Sequence, residues 1–272
     1  MSILYGIDVA GGMVNKMNSL LDFTNKTAII SGGSRGLGEQ MATTLGEAGA
    51  NIVICSRNIE QCTKTATKLQ NKGVNVLALP CDVSKKEEID RVISKTIAKF
   101  GTIDILINNS GTSWMAPFLD YPEDKWDKVL EVNLKGSFLF SQAVAKQMVE
   151  QKQQGKIINV SSVTAFNGTP PQLLDAIAYN TSKGALITLT KELAIKLAPY
   201  NIQVNAIAPG FFPTKITTVF EDHYKQITAR IPAGRLGQLT DLDGIILLLS
   251  GEASNYITGQ TIAIDGGLSS SL

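Results

Sequence analysis

Tyr179 and Lys183 stand four residues apart in Tyr179-Asn-Thr-Ser-Lys183, the spacing that stacks two side chains on one face of a helix. An ammonium beside a phenol favours the phenolate and draws its pKa, ordinarily about 10, down toward the range useful for proton transfer. Tyr179 is thereby a candidate general acid/base, the alternative being a half-buried tyrosine beside a solvated lysine. Upstream lie the pair Ser161-Ser162 and, near the start of the chain, Ser31-Gly-Gly-Ser-Arg-Gly-Leu-Gly38. In that stretch Gly32, Gly36 and Gly38 would let the backbone bend sharply, admit a pyrophosphate and open a helix whose N–H groups face the phosphates. Their spacing departs from Gly-x-Gly-x-x-Gly, and an ordinary strand-to-helix turn is the competing reading.

These residues need a scaffold that brings them together, and the chain's patterning supplies one. Short apolar runs at Thr27–Ile30, Asn51–Cys55, Val74–Leu79, Ile103–Ile107, Lys156–Val160, Ile202–Ile207 and Thr261–Ile264 alternate with helical periodicities. Among the helices, one runs from about Lys85 to Phe100, and a long one from Glu123 to about Gln151 turns Trp126, Leu130, Leu134, Val144 and Met148 inward. The helix carrying Tyr179 continues through Leu186, Leu189, Leu193 and Leu197. Strands separated by helices of this length predict an α/β fold: one doubly wound Rossmann domain over 23–272, with a mostly parallel seven-stranded sheet and helices on both faces. Residues 1–22 read as an extension, and 211–231 as a lid.

Composition narrows the partners. The 272 residues are 44% hydrophobic with a formal net charge of +1, enough for a large core and no electrostatic call on nucleic acid or an anionic membrane. Cys55, Cys62 and Cys81 lack metal-ligand spacing and His223 is the lone histidine, so no metal site is expected. No secretory signal or membrane-spanning run is apparent, and a cytoplasmic location follows by default.

The cofactor call rests on the second strand. An NAD site places a carboxylate at its end to hold the ribose 2′-hydroxyl, whereas this strand ends Cys55-Ser56-Arg57-Asn58. Arg57, with Arg35 from the glycine turn, could instead grip a 2′-phosphate. NADP(H) is expected over NAD(H).

With these motifs in order, the chain resembles the short-chain dehydrogenase/reductases over roughly 23–268. Ser31–Gly38 resembles their cofactor turn, Asp82-Val83 the adenine contact, and Asn108-Asn-Ser-Gly111 their Asn-Asn-Ala-Gly segment. Asn133, Ser162, Tyr179 and Lys183 match the catalytic tetrad, and Pro209-Gly210 with Thr214 the segment that holds the nicotinamide amide. The resemblance implies cofactor contacts from Gly32, Ser34, Arg35, Gly36, Leu37, Gly38, Ser56, Arg57, Asp82, Val83, Asn109, Ser110, Gly111, Tyr179, Lys183, Pro209, Gly210, Phe212 and Thr214. It implies hydride transfer to or from a carbonyl or alcohol, with Tyr179 donating the proton, Ser162 steadying the oxygen, and Lys183 serving both tyrosine and nicotinamide ribose. Asn133 would anchor a water leading from Lys183 toward solvent, or simply kink or pack its helix. Ser161 remains a rival donor to Ser162.

Ser162 and Tyr179 are separated by a few more residues than is usual in that family, and the extra stretch, with Pro170-Pro171 and Leu173-Leu174, lies where substrate choice could reside. Trp114-Met115 and the lid are the other specificity elements, and His223 in the lid is a substrate contact or a surface residue. The substrate is a small carbonyl compound, a 3-oxoacyl thioester or a keto-sugar acid such as 5-ketogluconate. A homo-oligomer, a tetramer by resemblance, is the expected assembly. A non-catalytic NADP(H)-binding regulator on the same fold would have lost a tetrad member, and none is missing.

Overall fold

A computed structural model describes residues 20–171, 174–213 and 224–271. Seven strands, β1 (Thr27–Ser31), β2 (Asn51–Ser56), β3 (Val76–Pro80), β4 (Ile105–Asn108), β5 (Gly155–Val160), β6 (Ile202–Pro209) and β7 (Thr261–Ile264), form one sheet in the order β3-β2-β1-β4-β5-β6-β7. Every pairing is parallel, so the sheet is wholly rather than mostly parallel. The chain starts at β1, winds outward to β3, then crosses back to β4. That reversal opens a crevice beyond the carboxyl ends of β1 and β4, where doubly wound sheets bind ligands.

The strands are apolar on both faces because both faces are covered. In β1, Ala28 and Ile30 join one core while Ile29 joins the other; in β2, Ile52 and Ile54 divide in the same way from Val53 and Cys55. The first core is closed by helices α1 (Gly36–Glu47) and α2 (Ile59–Gln70) through Met41, Leu45, Cys62 and Leu69. The second is closed by α3 (Lys86–Phe100) through Ile89 and Val92. Each fully buried Ile or Leu contributes roughly 1.5–3 kcal/mol, so alternate residues of every central strand hold a different layer of helices.

The long helical stretch after β4 is not continuous. Helix α4 (Glu123–Leu130) passes through a π turn at Glu131–Lys135 into α5 (Gly136–Gln151). The extra residue per turn shifts the phase. Val129, Val132, Phe140, Val144 and Met148 are buried, whereas Trp126, Leu130 and Leu134, expected inward, are only partly covered. Leu130 and Leu134 instead line an outer groove with Phe138 and with Leu189 of helix α6 (Ile177–Leu197). Two further helices, α7 (Tyr224–Thr228) and α8 (Asp243–Ser250), complete the described fold. Strands β3 and β4 each begin two residues later than their apolar runs, because Val74 and Ile103 are buried in the approaching loops rather than on the ladder.

Candidate active site

The crevice is assembled largely from backbone. Gly32 has φ of +64°, a left-handed conformation that favours glycine, and a Cβ on Gly38 would lie 2.4 Å from the Gly32 carbonyl oxygen. The turn can therefore close onto the first residues of α1. A second set of bonds ties this turn to the loop after β4. Asn109 Nδ2 donates to the carbonyls of Ser31 and Gly32 at 3.1 and 3.0 Å. The Asn109 and Ser110 N–H groups both donate to Ser31 Oγ, at 3.1 and 3.0 Å. From the other side, Thr65 Oγ1 donates to the Ser34 carbonyl at 2.8 Å and fixes the turn to α2.

At the outer end of the crevice Arg35 and Arg57 are exposed, and neither has an ion-pair partner among the described residues. Below them, burial acts to raise the Asp82 carboxyl's pKa. Hydrogen bonds from Ser84 Oγ (2.8 Å) and N–H (3.1 Å), with the charges of Lys128 and Arg57, outweigh it and hold the group below its ordinary value. Cys62 Sγ lies 3.1 Å from Ser56 Oγ, and all three cysteines are free and buried.

At the inner end, Lys183 is 4% exposed. Its Nζ donates to the Val160 carbonyl at 2.7 Å and lies 5.5 Å from the centre of the Tyr179 ring. Burial pulls its pKa down to about 8. Tyr179 departs from the expectation of a lowered pKa. Burial of the phenol raises it, and the opposing influence is a hydrogen bond with Ser162 rather than the charge of Lys183, whose ammonium faces the ring and the Val160 carbonyl. Ser162 Oγ accepts from Thr164 N at 3.2 Å and from Thr164 Oγ1 at 3.0 Å, which leaves its own proton to give. Ser161, the rival donor, is committed elsewhere: its Oγ donates to the Lys183 carbonyl at 2.8 Å.

Asn133 sits in the π turn with no exposed surface. Its Nδ2 donates to the Thr112 carbonyl and to Ser182 Oγ, both at 2.9 Å, and its Oδ1 accepts from Thr112 N–H at 2.8 Å. Ser182 Oγ in turn donates to the Tyr179 carbonyl at 2.7 Å. The amide thus stitches the loop leaving Gly111 to the helix bearing Tyr179.

Ser162, Tyr179 and Lys183 line one cleft of about 1080 Å³ with the expected cofactor residues of the glycine turn, Ser56-Arg57, Asp82-Val83, Asn109–Gly111, Pro209-Gly210 and Phe212. Asn133 lies behind its wall. Leu173 and the part of the lid from 214 to 223, with Thr214 and His223, fall outside the described residues. Ser31, Thr112, Thr164 and Ser182 complete the hydrogen-bonding of the site without having been singled out from the sequence. Only Ser182 carried a signal, a hydroxyl one turn after Tyr179.

Comparison with known proteins agrees with this geometry. Residues 32–269 match a family model described as enoyl-(acyl carrier protein) reductase. The chain is 38% identical to a 5-keto-D-gluconate 5-reductase of Escherichia coli over 93% of its own length and 98% of the relative's. It is 35% identical to a 3-oxoacyl-[acyl-carrier-protein] reductase of Staphylococcus epidermidis over 90% and 99%. Among solved structures, a gluconate 5-dehydrogenase from Burkholderia cenocepacia in complex with NADP and tartrate superposes with a TM-score of 0.88 at 35% identity, over 94% of this chain and 100% of that one. Matches that run almost end to end, with the crevice and its tyrosine–lysine pair intact, place the chain in the short-chain dehydrogenase/reductase family, as an oxidoreductase that passes hydride between a nicotinamide cofactor and a carbonyl or secondary alcohol.

Proposed function

We propose that the chain is an NADPH-dependent ketoreductase whose proton donor is Tyr179. The observation that carries this reading is one cleft with unpaired Arg35 and Arg57 at its outer end and Ser162, Tyr179 and Lys183 at its inner end. The donor set fits the cofactor. Two free guanidiniums, with no carboxylate at the end of β2, suit a 2′-phosphate, and the Burkholderia relative holds NADP. When bound, the nicotinamide supplies the hydride.

As negative charge grows on the substrate oxygen, Ser162 donates the hydrogen bond that its own partners leave free, and Tyr179 delivers the proton. A phenol kept protonated by burial is an acid ready for reduction. Lys183, whose ammonium faces the Tyr179 ring, would hold the nicotinamide ribose and help return a proton to the tyrosine. Asn133 positions the strand end and helix that carry these groups.

A 3-oxoacyl thioester and a keto-sugar acid are both within reach of this chemistry, as the two curated relatives suggest. The apolar groove of about 730 Å³ lined by Leu130, Leu134, Phe138 and Leu189 supports a homo-oligomer, with a second copy covering it; light scattering at micromolar concentration would show a monomer if this is wrong. The three free thiols suit a reducing, cytoplasmic setting. The function is tested by following NADPH absorbance against a panel of ketones, thioesters and keto acids. Turnover that Tyr179→Phe abolishes supports it, and a protein that binds NADPH yet reduces nothing does not.

A further inference from the structure

The substrate rim is chemically unlike the cofactor end. Of the twelve large hydrophobic side chains exposed among the described residues, five lie here: Trp114, Met115, Phe118 and Leu119 in the loop after β4, and Phe166 just past Ser162. The loop and the inserted stretch are joined, since Ala116 N–H donates to the Asp175 carbonyl at 3.1 Å. Both are bonded to residues of the site, through Thr112 on Asn133 behind the cleft wall and Thr164 on Ser162 within it. Trp114 follows the cleft-lining Gly111 by three residues and Phe166 follows Ser162 by four, and an exposed apolar patch flanking a catalytic cleft has a natural occupant in the apolar part of the substrate.

Charge on the rim disfavours the competing occupants. From Asp120 to Glu131 there are five carboxylates against two lysines. The lysines are already paired, Lys125 with Asp124 at 2.6 Å and Lys128 with Glu131 at 3.2 Å. Asp120, Glu123, Asp127 and Asp175 have no ion-pair partner among the described residues. The one cation beside the rim's aromatic surface, Lys125, lies 4.9 Å from the centre of the Trp114 ring with its charge answered by Asp124. Such a rim repels an acidic carrier protein on approach, and the described residues of the rim itself offer the carboxylate of a sugar acid no unpaired cation.

We infer that the substrate is an uncharged, largely apolar ketone or its alcohol, free in solution, with its hydrocarbon part lying on the Trp114–Phe166 rim. The inference rests on the ketoreductase reading and narrows it. It is tested with the full chain and NADPH against methyl ketones of increasing length, 5-ketogluconate, and one 3-oxoacyl chain presented either as a small neutral thioester or on an acyl carrier protein. Each methylene laid on the patch should raise kcat/KM about fourfold until the patch is covered, and Trp114→Ala should flatten that slope. Asp175→Asn should raise the ratio of sugar-acid to ketone turnover severalfold, a gain that added salt erases. A preference for 5-ketogluconate or for the carrier-borne chain over neutral ketones overturns the inference while leaving hydride transfer in place. A panel in which no carbonyl is reduced overturns the ketoreductase reading itself.

Discussion

The two ends of the cleft are built by different means. The cofactor end is made of strand ends, a glycine turn and hydrogen bonds onto backbone carbonyls, such as those from Asn109 Nδ2 to Ser31 and Gly32, and it sets the cations Arg35 and Arg57 beside the carboxylates of Glu60 and Asp82. The substrate rim is made of loops, held by a few bonds between residues far apart in the chain, and its free charges are carboxylates. An architecture that must meet the same pyrophosphate in every relative is written into secondary structure, whereas one that selects a substrate is written into side chains on loops. Substitutions at the two ends should therefore separate cleanly into cofactor and substrate effects, with Tyr179, the proposed proton donor, between them.

The largest effect belongs to Tyr179→Phe. The ring keeps its packing and the proton is lost, so kcat should fall by about 10²- to 10⁴-fold while NADPH affinity changes little. Stopped-flow or steady-state absorbance checks the first half, and fluorescence titration of NADPH the second. A variant that kept most of its turnover would move the acid elsewhere, with Ser162 the next group to test.

At the cofactor end, Arg57→Ala should weaken NADPH by roughly 10- to 100-fold, as loss of a charge-assisted contact worth about 1.5–3 kcal/mol implies, and leave NADH nearly unchanged. Isothermal titration with both cofactors measures it. Equal wild-type affinity for the two would break the contrast between a cationic and an anionic end at its root.

Lys183, at the inner end of the cleft, should make cofactor binding pH-dependent. Its pKa in the free protein is pulled down to about 8 by burial, so the ammonium is present below that pH and lost as pH rises through it. NADPH affinity should weaken severalfold across the same interval, because the charged form is the one that would hold the ribose, and Lys183→Met should remove the step along with part of the affinity. Cofactor titrations between pH 6 and 10, about two units either side of that pKa, check it. A profile that stayed flat would assign Lys183 to the tyrosine alone.

Much of this site was legible in the sequence where local pattern carries it. Short continuous apolar runs located all seven strands, and a glycine turn between strand and helix located the crevice, because both are dictated by neighbouring residues. The π turn was not legible. Asn133 sits there because its amide meets Thr112 and Ser182, partners 21 and 49 residues away, and an uninterrupted helix fits the apolar pattern of Glu123–Gln151 almost as well. The raised pKa of Tyr179 was missed for a related reason. Spacing puts an ammonium near the ring, but only burial in the folded cleft decides which influence wins.

The rim offers the smallest and most selective test. Tyr121 Oη donates to the Trp114 carbonyl at 3.2 Å, and this bond is one of the few that fix the backbone beneath the exposed indole. The phenol stays protonated across neutral pH, since partial burial and then the charge of Asp175 raise its pKa, so the donor is present whenever the enzyme works. Tyr121→Phe keeps the ring and deletes the bond. A partly exposed hydrogen bond is worth about 0.5–1 kcal/mol, which corresponds to a two- to fivefold fall in kcat/KM for the longest neutral ketone accepted. Because the loop's bonds to the cofactor turn come from Asn109 and Ser110, twelve and eleven residues before Tyr121 along the chain, NADPH affinity should not move. The expected signature is a rise in KM at nearly constant kcat, the mark of lost binding shared by ground and transition states. A matching loss of NADPH affinity would show instead that the rim and the cofactor end are mechanically one piece, and the division between them would fail.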